Sequence, residues 1–211
     1  MRRSVLFGAP RKKQMTNLDR ISQISRETSE TKISLTLNLD GSGKSNCQSG
    51  IGFLDHLLSG LSKHSRIDLS LKCQGDLHVD DHHTAEDCAI ALGQAIDQAL
   101  GDRRGIARFG YAYAPLDEAL ARCAIDLSGR PGAWIDLPLS RGRLGELSCE
   151  NIPHVLSSLT IAARATMHVD LIRGSNAHHV AEAGFKAVAL ALRLAVARDG
   201  SDAIPSTKGS L

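Results

Sequence analysis

The chain has 211 residues, of which 42% are hydrophobic but only 3% are aromatic, so any core has to be built from aliphatic side chains. A formal net charge of +2 argues against a dedicated nucleic-acid surface. No apolar stretch approaches the roughly 18 charge-free residues of a membrane span. Five cysteines without CxxC spacing are typical of reduced, buried thiols in an intracellular protein rather than of a disulfide framework.

Residues 1–29 differ in composition from the rest of the chain. This stretch is basic, polar and rich in serine. We predict a flexible N-terminal tail, since unanchored chain ends are usually disordered. The alternative is an organelle-targeting peptide, which would also be basic and poor in acidic residues. The prediction for localisation is therefore cytoplasmic, with organelle targeting as the alternative.

The first half of the chain, residues 30–118, alternates between strand and helix patterns. Ile33, Leu35 and Leu37 alternate with polar residues, which predicts a half-buried strand. Leucines at helical spacing then surround His56, and a second alternating run begins at Ile67. In order, the predicted elements are a strand over 31–40, a strand to about 49, a helix over 53–62, a strand over 67–71 and a helix over 86–100.

The second half, residues 119–211, repeats this plan. Its predicted elements are a strand around 123–127, a strand over 134–139, a helix over 152–163, a strand over 166–172 and a helix over 182–197. The same order of elements in both halves predicts an α+β fold with an internal duplication. Each half would be a mainly antiparallel sheet with helices on one face, and the two halves would form a sandwich.

A histidine motif occurs once in each half, immediately before a long predicted helix. His82-His83-x-x-Glu86 and His178-His179-x-x-Glu182 place the first histidine and the glutamate four residues apart, on one face of a helix. The adjacent histidines point about 100° apart, so the pair suits two ions rather than one. Imidazole and carboxylate together suit mid-series divalent metals. The repeat therefore predicts a dinuclear or twice-mononuclear metal site.

Each motif is preceded by a further histidine at a similar distance. His56 lies 26 residues before His82, and His154 lies 24 residues before His178. The sequence spacing alone does not decide which ligands serve which ion.

These motifs, with others between them, resemble one enzyme family from about residue 26 to the end. The stretches that carry the resemblance are Gly52-Phe53-Leu54-Asp55-His56, residues 75–87, Arg108-Phe109-Gly110, residues 115–119, residues 127–131, Asn176-Ala177-His178-His179 and Pro205-Ser206-Thr207-Lys208-Gly209. Together they are similar to imidazoleglycerol-phosphate dehydratase of histidine biosynthesis. The resemblance implies a hydro-lyase that converts D-erythro-imidazole glycerol phosphate to imidazole acetol phosphate. It also implies two Mn²⁺ ions per active site and a shell of 24 subunits with sites between subunits, without nucleic-acid or membrane partners.

The resemblance also assigns roles to individual residues. The metal ligands would be His56, His82, His83, Glu86, His154, His178, His179 and Glu182. The substrate would contact Glu30, Arg108, Arg130, Lys186, Ser206 and Lys208, where cationic side chains suit a phosphate group. The proton-transfer candidates are Glu30, Glu182 and Asp117, and the sequence does not choose among them.

Two other functions would use the same residues. One is a metal-dependent phosphoesterase that needs neither Arg108 nor Lys208 for its chemistry. The other is a non-enzymatic metal-storing shell.

Overall fold

The computed structural model describes residues 20–139, 142–209 and 211. Within these ranges the chain forms two four-stranded sheets, four helices and one short hairpin. The elements in order are β1 Ile21–Glu27, β2 Thr31–Asn38, β3 Ser45–Gln48, α1 Gly52–Ser65, β4 Asp68–Gly75, α2 His82–Leu100, β5 Phe109–Leu116, β6 Ala119–Asp126, β7 Gly132–Asp136, β8 Arg143–Leu144, β9 Leu147–Ser148, α3 Asn151–Ala162, β10 Thr166–Arg173 and α4 Ala177–Ala195.

The two sheets have the same topology. The first has the strand order β1-β2-β4-β3 and the second β5-β6-β10-β7. In each sheet the last pair is parallel, β3 with β4 and β7 with β10, and the remaining pairs are antiparallel. This arrangement confirms the predicted α+β fold with two related halves.

The helices lie between the sheets and pack across the two halves. Helix α2 packs on β1 and β2, and α4 packs on β5 and β6. Helix α1 of the first half then packs against α4 of the second, while α2 packs against α3. The molecule is thus layered as sheet, helices, helices and sheet.

The core is aliphatic, as the composition predicts. Leu, Ile, Val and Ala side chains dominate it, and Phe185 is the one fully buried aromatic among the described residues. The cysteines are free thiols, four of them buried and Cys47 half-buried, in agreement with the sequence prediction. In the described ranges, no helix combines the length and apolar character that crossing a bilayer requires.

Two boundaries in the structure differ from the predicted ones, that between the tail and the first half and that between the two halves. Residues 21–27, predicted as part of the tail, form strand β1, and Ser22 Oγ donates a hydrogen bond to the Ala95 carbonyl of α2 at 2.7 Å. Residues 1–19 lie outside the described residues. At the other boundary, Phe109–Leu116 form β5 of the second sheet rather than the end of the first half. Neither strand has the hydrophobic alternation that identified β2, because their inward positions carry small or polar residues such as Ser22 and Gly110.

A glycine controls how closely α2 approaches α3. A Cβ on Gly93 would lie 2.4 Å from the Leu159 carbonyl oxygen and 2.8 Å from the Ala163 nitrogen, and these backbone atoms cannot move aside cheaply. We expect Gly93→Ala to lower the free energy of unfolding by about 1 to 3 kcal/mol. The measurement is urea unfolding.

The control is Gly60→Ala in α1, where an added Cβ meets no atom within 4 Å. It should raise the free energy of unfolding by about 0.5 to 1 kcal/mol, because alanine is the better helix former. Equal effects of the two substitutions would contradict the close approach of α2 and α3.

Candidate metal centre and substrate-binding groups

The first candidate ligand cluster lies where α1 meets α4. It consists of His56, His178 and Glu182, whose ligand atoms all lie within 4.8 Å of one another. The Nε2 atoms of His56 and His178 are each 2.8 Å from Glu182 Oε1. Lys186, one turn further along α4, lies 2.8 Å from Glu182 Oε2. Burial alone would raise the pKa of Glu182, but hydrogen bonds from Lys186 and the two imidazoles outweigh it and lower the pKa to about 2.

The second cluster lies where α2 meets α3. It consists of His82, Glu86 and His154, again with ligand atoms within 4.8 Å of one another. His154 Nε2 is 3.0 Å and His82 Nε2 is 3.9 Å from the Glu86 carboxylate. The His82 and His154 rings stack, with centroids 4.9 Å apart.

Both clusters combine ligands from the two halves of the chain. His56 of the first half joins the motif of the second, and His154 of the second half joins the motif of the first. In each motif the first histidine, four residues before the glutamate, shares a cluster with it. The sequence left the pairing of these side chains open, and the packing of α1 on α4 and of α2 on α3 brings them together in these two sets.

The second histidine of each motif contacts a different pair of carboxylates. His83 Nδ1 lies 2.9 Å from Asp76 Oδ2, and its Nε2 lies 3.7 Å from Glu30 Oε1. The hydrogen bond to Asp76 raises the pKa of His83. Glu30 lies in the turn between β1 and β2, so this turn delivers a predicted proton-transfer residue to the first motif.

The same arrangement recurs at the second motif. His179 Nδ1 lies 2.6 Å from Glu118 Oε2, and its Nε2 lies 3.6 Å from Asp117 Oδ2. The His179 hydrogen bond lowers the pKa of Glu118 to about 2, and the same bond raises the pKa of His179. Asp117 and Glu118 form the turn between β5 and β6, which corresponds to the β1–β2 turn of the first half.

A buried carboxylate fixes the orientation of His82. Asp81 accepts hydrogen bonds from Ser148 and, at 2.9 Å, from Asn151 Nδ2. The amide oxygen of Asn151 must then face His82 Nδ1, 3.0 Å away, and accept a hydrogen bond from its N–H. A histidine protonated on Nδ1 has its lone pair on Nε2, the atom that faces the cluster.

The donor set therefore fits a divalent metal. Each cluster offers imidazole Nε2 atoms and a carboxylate, and the Nδ1 atoms of His82, His83 and His179 are held by acceptors, a common support for metal-binding histidines. The sequence prediction missed the three residues that supply these acceptors, which are Asp76, Glu118 and Asn151. Asp76 and Glu118 could have been found, because each lies in a quoted motif, and Glu118 directly follows the predicted Asp117. Asn151 is brought to His82 only by the packing of α3 on α2.

The predicted phosphate-binding residues fall into two groups. Arg108 donates to both oxygens of Asp126, at 2.7 and 3.0 Å, and to the Pro205 carbonyl at 2.8 Å. Arg130 Nη2 lies 3.9 Å from Asp126, and the segment with Ser206 and Lys208 follows Pro205 directly. The fifth residue, Lys186, instead lies beside Glu182.

Comparisons with known proteins agree with the site. A model of the family described as imidazoleglycerol-phosphate dehydratase matches residues 49–192. The chain is 59% identical over 192 residues to the imidazoleglycerol-phosphate dehydratase of Phytophthora nicotianae, covering 91% of this chain and 42% of that longer protein. It is 52% identical over 197 residues to that of Phaffia rhodozyma, covering 91% of this chain and 96% of the relative.

Solved structures are similar as well. The crystal structure of imidazoleglycerol-phosphate dehydratase from Staphylococcus aureus subsp. aureus N315 superposes with a TM-score of 0.76 at 36% identity, covering 84% of this chain and 99% of that one. The enzyme from Pyrococcus furiosus, solved in complex with (S)-C348, superposes with a TM-score of 0.77 at 32% identity, covering 89% and 100%. These relatives define the class, a dehydratase and hence a hydro-lyase. The chain belongs to the imidazoleglycerol-phosphate dehydratase family.

The carboxylates behind His83 and His179 give a prediction about metal binding. Asp76→Ala and Glu118→Ala should each weaken binding of Mn²⁺ by roughly 10 to 100 fold, because the imidazole loses the acceptor that orients it. Isothermal titration of metal-free protein measures the affinity. Asp76→Asn, which keeps an acceptor, should restore part of it.

A matched control is Glu27→Ala, which removes a carboxylate whose partner is the exposed Lys32. It should leave the affinity unchanged. An unchanged Mn²⁺ affinity in both Asp76→Ala and Glu118→Ala would show that these carboxylates do not support the candidate site.

Proposed function

We propose that the enzyme catalyses the metal-dependent dehydration of D-erythro-imidazole glycerol phosphate to imidazole acetol phosphate in L-histidine biosynthesis. The observation that carries the proposal is the pair of His/Glu clusters built across the two halves, in a chain that belongs to a dehydratase family. A small phosphate substrate also suits the cationic group around Arg108 and Arg130.

We propose Mn²⁺ as the metal, with two ions per active site. The eight residues that would hold them are His56, His82, His83, Glu86, His154, His178, His179 and Glu182. Bound there, a divalent ion supplies Lewis acidity toward the imidazole of the substrate. The chain's own contribution is to orient the imidazoles. The acceptors behind His82, His83 and His179 take a hydrogen bond from Nδ1 and so leave the Nε2 lone pair of these rings to the ion.

The proton-transfer roles fall to carboxylates at the edge of the clusters. Both oxygens of Glu182 are engaged, one by two imidazoles and the other by Lys186, which suits a ligand better than a base. Glu30 and Asp117 are exposed and stand 3.7 and 3.6 Å from the second histidines of the motifs. One of them would accept the proton from carbon, and the other would donate a proton to the departing hydroxyl, which leaves as water.

The phosphate-binding residues around Arg108 lie too far from the cluster of His56, His178 and Glu182 in one chain for both to act on one substrate molecule. The Arg108 amide donates to the Ala195 carbonyl at the end of α4, whereas Glu182 lies near its start. These two points are about 20 Å apart along the helix, at a rise of 1.5 Å per residue. Only a short carbon chain joins the imidazole to the phosphate in the substrate. We therefore propose that the metal group of one copy and the phosphate group of another form each site, in an assembly of 24 subunits.

The proposed function is tested by turnover of imidazole glycerol phosphate with and without Mn²⁺. His82→Ala and His178→Ala should each abolish turnover and reduce bound manganese, because each removes a ligand from one cluster. The control is His78→Ala, an exposed histidine outside both clusters, which should retain most activity. Hydrolysis of phosphoesters instead of dehydration would favour a phosphoesterase, and metal binding without any turnover would favour a storage shell.

A second prediction concerns the segment after Pro205. Truncation after Pro205 removes Ser206 and Lys208, whose hydroxyl and ammonium groups would donate to the phosphate. At about 1.5 to 3 kcal/mol for each such hydrogen bond, substrate binding should weaken by roughly 10² to 10⁴ fold. The measurement is turnover against substrate concentration, with bound manganese assayed in parallel.

Bound manganese is the internal control for this truncation, because no proposed ligand lies beyond Glu182. A normal KM in the truncated enzyme would show that the segment does not bind substrate. Loss of manganese would show instead that it supports the fold.

A further inference from the structure

The duplication relates the two ligand clusters residue by residue, so their surroundings can be compared within one chain. The corresponding ligands are His82 and His178, Glu86 and Glu182, and His154 and His56. Since the ligand types are identical, a difference in metal affinity between the clusters has to come from neighbouring residues. The acceptors behind His83 and His179 are carboxylates in both halves and do not distinguish the clusters. Three corresponding positions close to the ligands do differ.

The first difference is the residue immediately before each motif. In the first half it is Asp81, which is 5% exposed, accepts a hydrogen bond from Asn151 Nδ2 at 2.9 Å and pairs with Arg143 at 3.5 Å. In the second half it is Ala177, whose methyl group accepts no hydrogen bond. Only the motif of the first half therefore has a buried carboxylate behind it at this position.

The second difference lies three residues before the upstream histidine of each half, where Asn151 corresponds to Phe53. The Asn151 amide oxygen lies 3.0 Å from His82 Nδ1 and accepts its hydrogen bond. Phe53 instead packs its ring on His178, with centroids 5.0 Å apart. Within the ranges that the structure describes, His178 Nδ1 has no hydrogen-bond partner. The corresponding imidazoles are thus held by an oriented amide in one cluster and by an apolar ring in the other.

The third difference lies one turn after the glutamate of each motif. Lys186 Nζ is 2.8 Å from Glu182 Oε2 in the first cluster, whereas Ile90 holds the same position after Glu86. Among the described residues, no lysine or arginine forms an ion pair with Glu86. An ion at the first cluster would share its carboxylate with an ammonium group. Two cations on one carboxylate repel each other, which weakens the binding of both.

All three differences act in the same direction. An acceptor behind a metal-binding imidazole fixes the orientation of the ring and makes it a better donor, and loss of such a partner weakens metal binding about 10 to 100 fold. His82 has this support and His178 lacks it. The neighbouring ammonium group of Lys186 weakens the first cluster further. The second cluster is therefore the better prepared of the two for a divalent ion.

We propose that the two clusters bind Mn²⁺ with unequal affinity, tightly at His82, Glu86 and His154 and more weakly at His56, His178 and Glu182. The proposal rests on the proposed function, which assigns Mn²⁺ to both clusters. The affinities should differ by about 10 to 100 fold, the effect of one supporting hydrogen bond. The second cluster then fills first, and the first cluster is the exchangeable site.

A half-loaded protein tests the order directly. The full-length protein, loaded with Mn²⁺, is dialysed against EDTA-buffered Mn²⁺ until one ion per chain remains on average. Anomalous X-ray diffraction at the manganese edge then locates the remaining ion. We expect it at His82, Glu86 and His154. Equal occupancy of the two clusters, or an ion held mainly at the first, would overturn the proposal.

Substitution of the supporting amide tests the cause at the tight site. Asn151→Leu keeps the size of the side chain but removes the acceptor, so it should weaken the tighter step of Mn²⁺ binding by about 10 to 100 fold and leave the weaker step unchanged. Equilibrium dialysis against buffered Mn²⁺ measures both steps. The control is Asn46→Leu, at an exposed position of β3, which should change neither. An Asn151→Leu protein in which both steps weaken equally would show a structural role only and would contradict the proposal.

Substitution of the lysine tests the weak site and does not depend on the folding of the Asn151 variant. Lys186→Met keeps the aliphatic stem but removes the charge, and it should tighten the weaker step by roughly 10 fold. Lys186→Arg keeps the charge and should leave that step in place. Thermal unfolding of the metal-free proteins verifies that the variants fold. An unchanged weaker step in Lys186→Met would show that the ammonium group does not lower the affinity of the first cluster.

These measurements need no substrate, so they separate the proposal from the proposed function. Two resolved binding steps in a protein that does not dehydrate imidazole glycerol phosphate would count against the proposed function only. An active enzyme that binds both ions with one affinity would overturn the unequal clusters only. A protein that binds no Mn²⁺ at either cluster would overturn both.

Discussion

The packing of helices across the duplicated halves is the contact on which the rest of the structure depends. Either half alone holds only part of each ligand cluster, because His56 must meet Glu182 across the α1–α4 contact and His154 must meet Glu86 across the α2–α3 contact. The close approach at Gly93 brings α2 and α3 to this distance. Folding of the core and assembly of the candidate metal site are therefore one event, since both require the same helices to pack.

Around this frame, carboxylates orient the imidazoles. Asp81 is buried, and burial would raise its pKa, but hydrogen bonds from Ser148 and Asn151 outweigh that effect and lower it. The charged carboxylate acts on His82 only through Asn151, so one ionised group deep in the structure fixes a ring at the surface. A site on the exposed ends of helices can in this way hold its ligands with little freedom.

The sequence predicted most of the fold for identifiable reasons, and all eight proposed ligands come from its motifs. Strand β2 and the helices have strong hydrophobic periodicity, and the duplicated His-His-x-x-Glu motif marks two ends of helices. Strand β1 was missed because it turns a polar residue, Ser22, toward the core. Strand β5 was missed because its large residues face outward, the reverse of the hydrophobic alternation that identifies a half-buried strand. The exchange of His56 and His154 between halves could not be predicted, because it depends on which helix packs against which. Asn151 was missed for the same reason.

The two halves have the same sheet topology but differ at a few positions. These positions make the surroundings of the two ligand clusters unequal. Lys186 follows Glu182 by one turn, whereas Ile90 holds the same position after Glu86. A lysine therefore lies beside the carboxylate of the first cluster, and an apolar residue takes its place at the second. The outer faces of the two sheets diverged in the same way: the first exposes polar residues such as Gln23 and Thr36, whereas the second exposes Tyr111 and Trp134. Duplication supplies two equivalent histidine clusters, but the proposed substrate, with an imidazole at one end and a phosphate at the other, needs unequal surroundings. Divergence at Lys186, around Arg108 and on the outer face of the second sheet breaks the symmetry, while the core and the ligand clusters keep it.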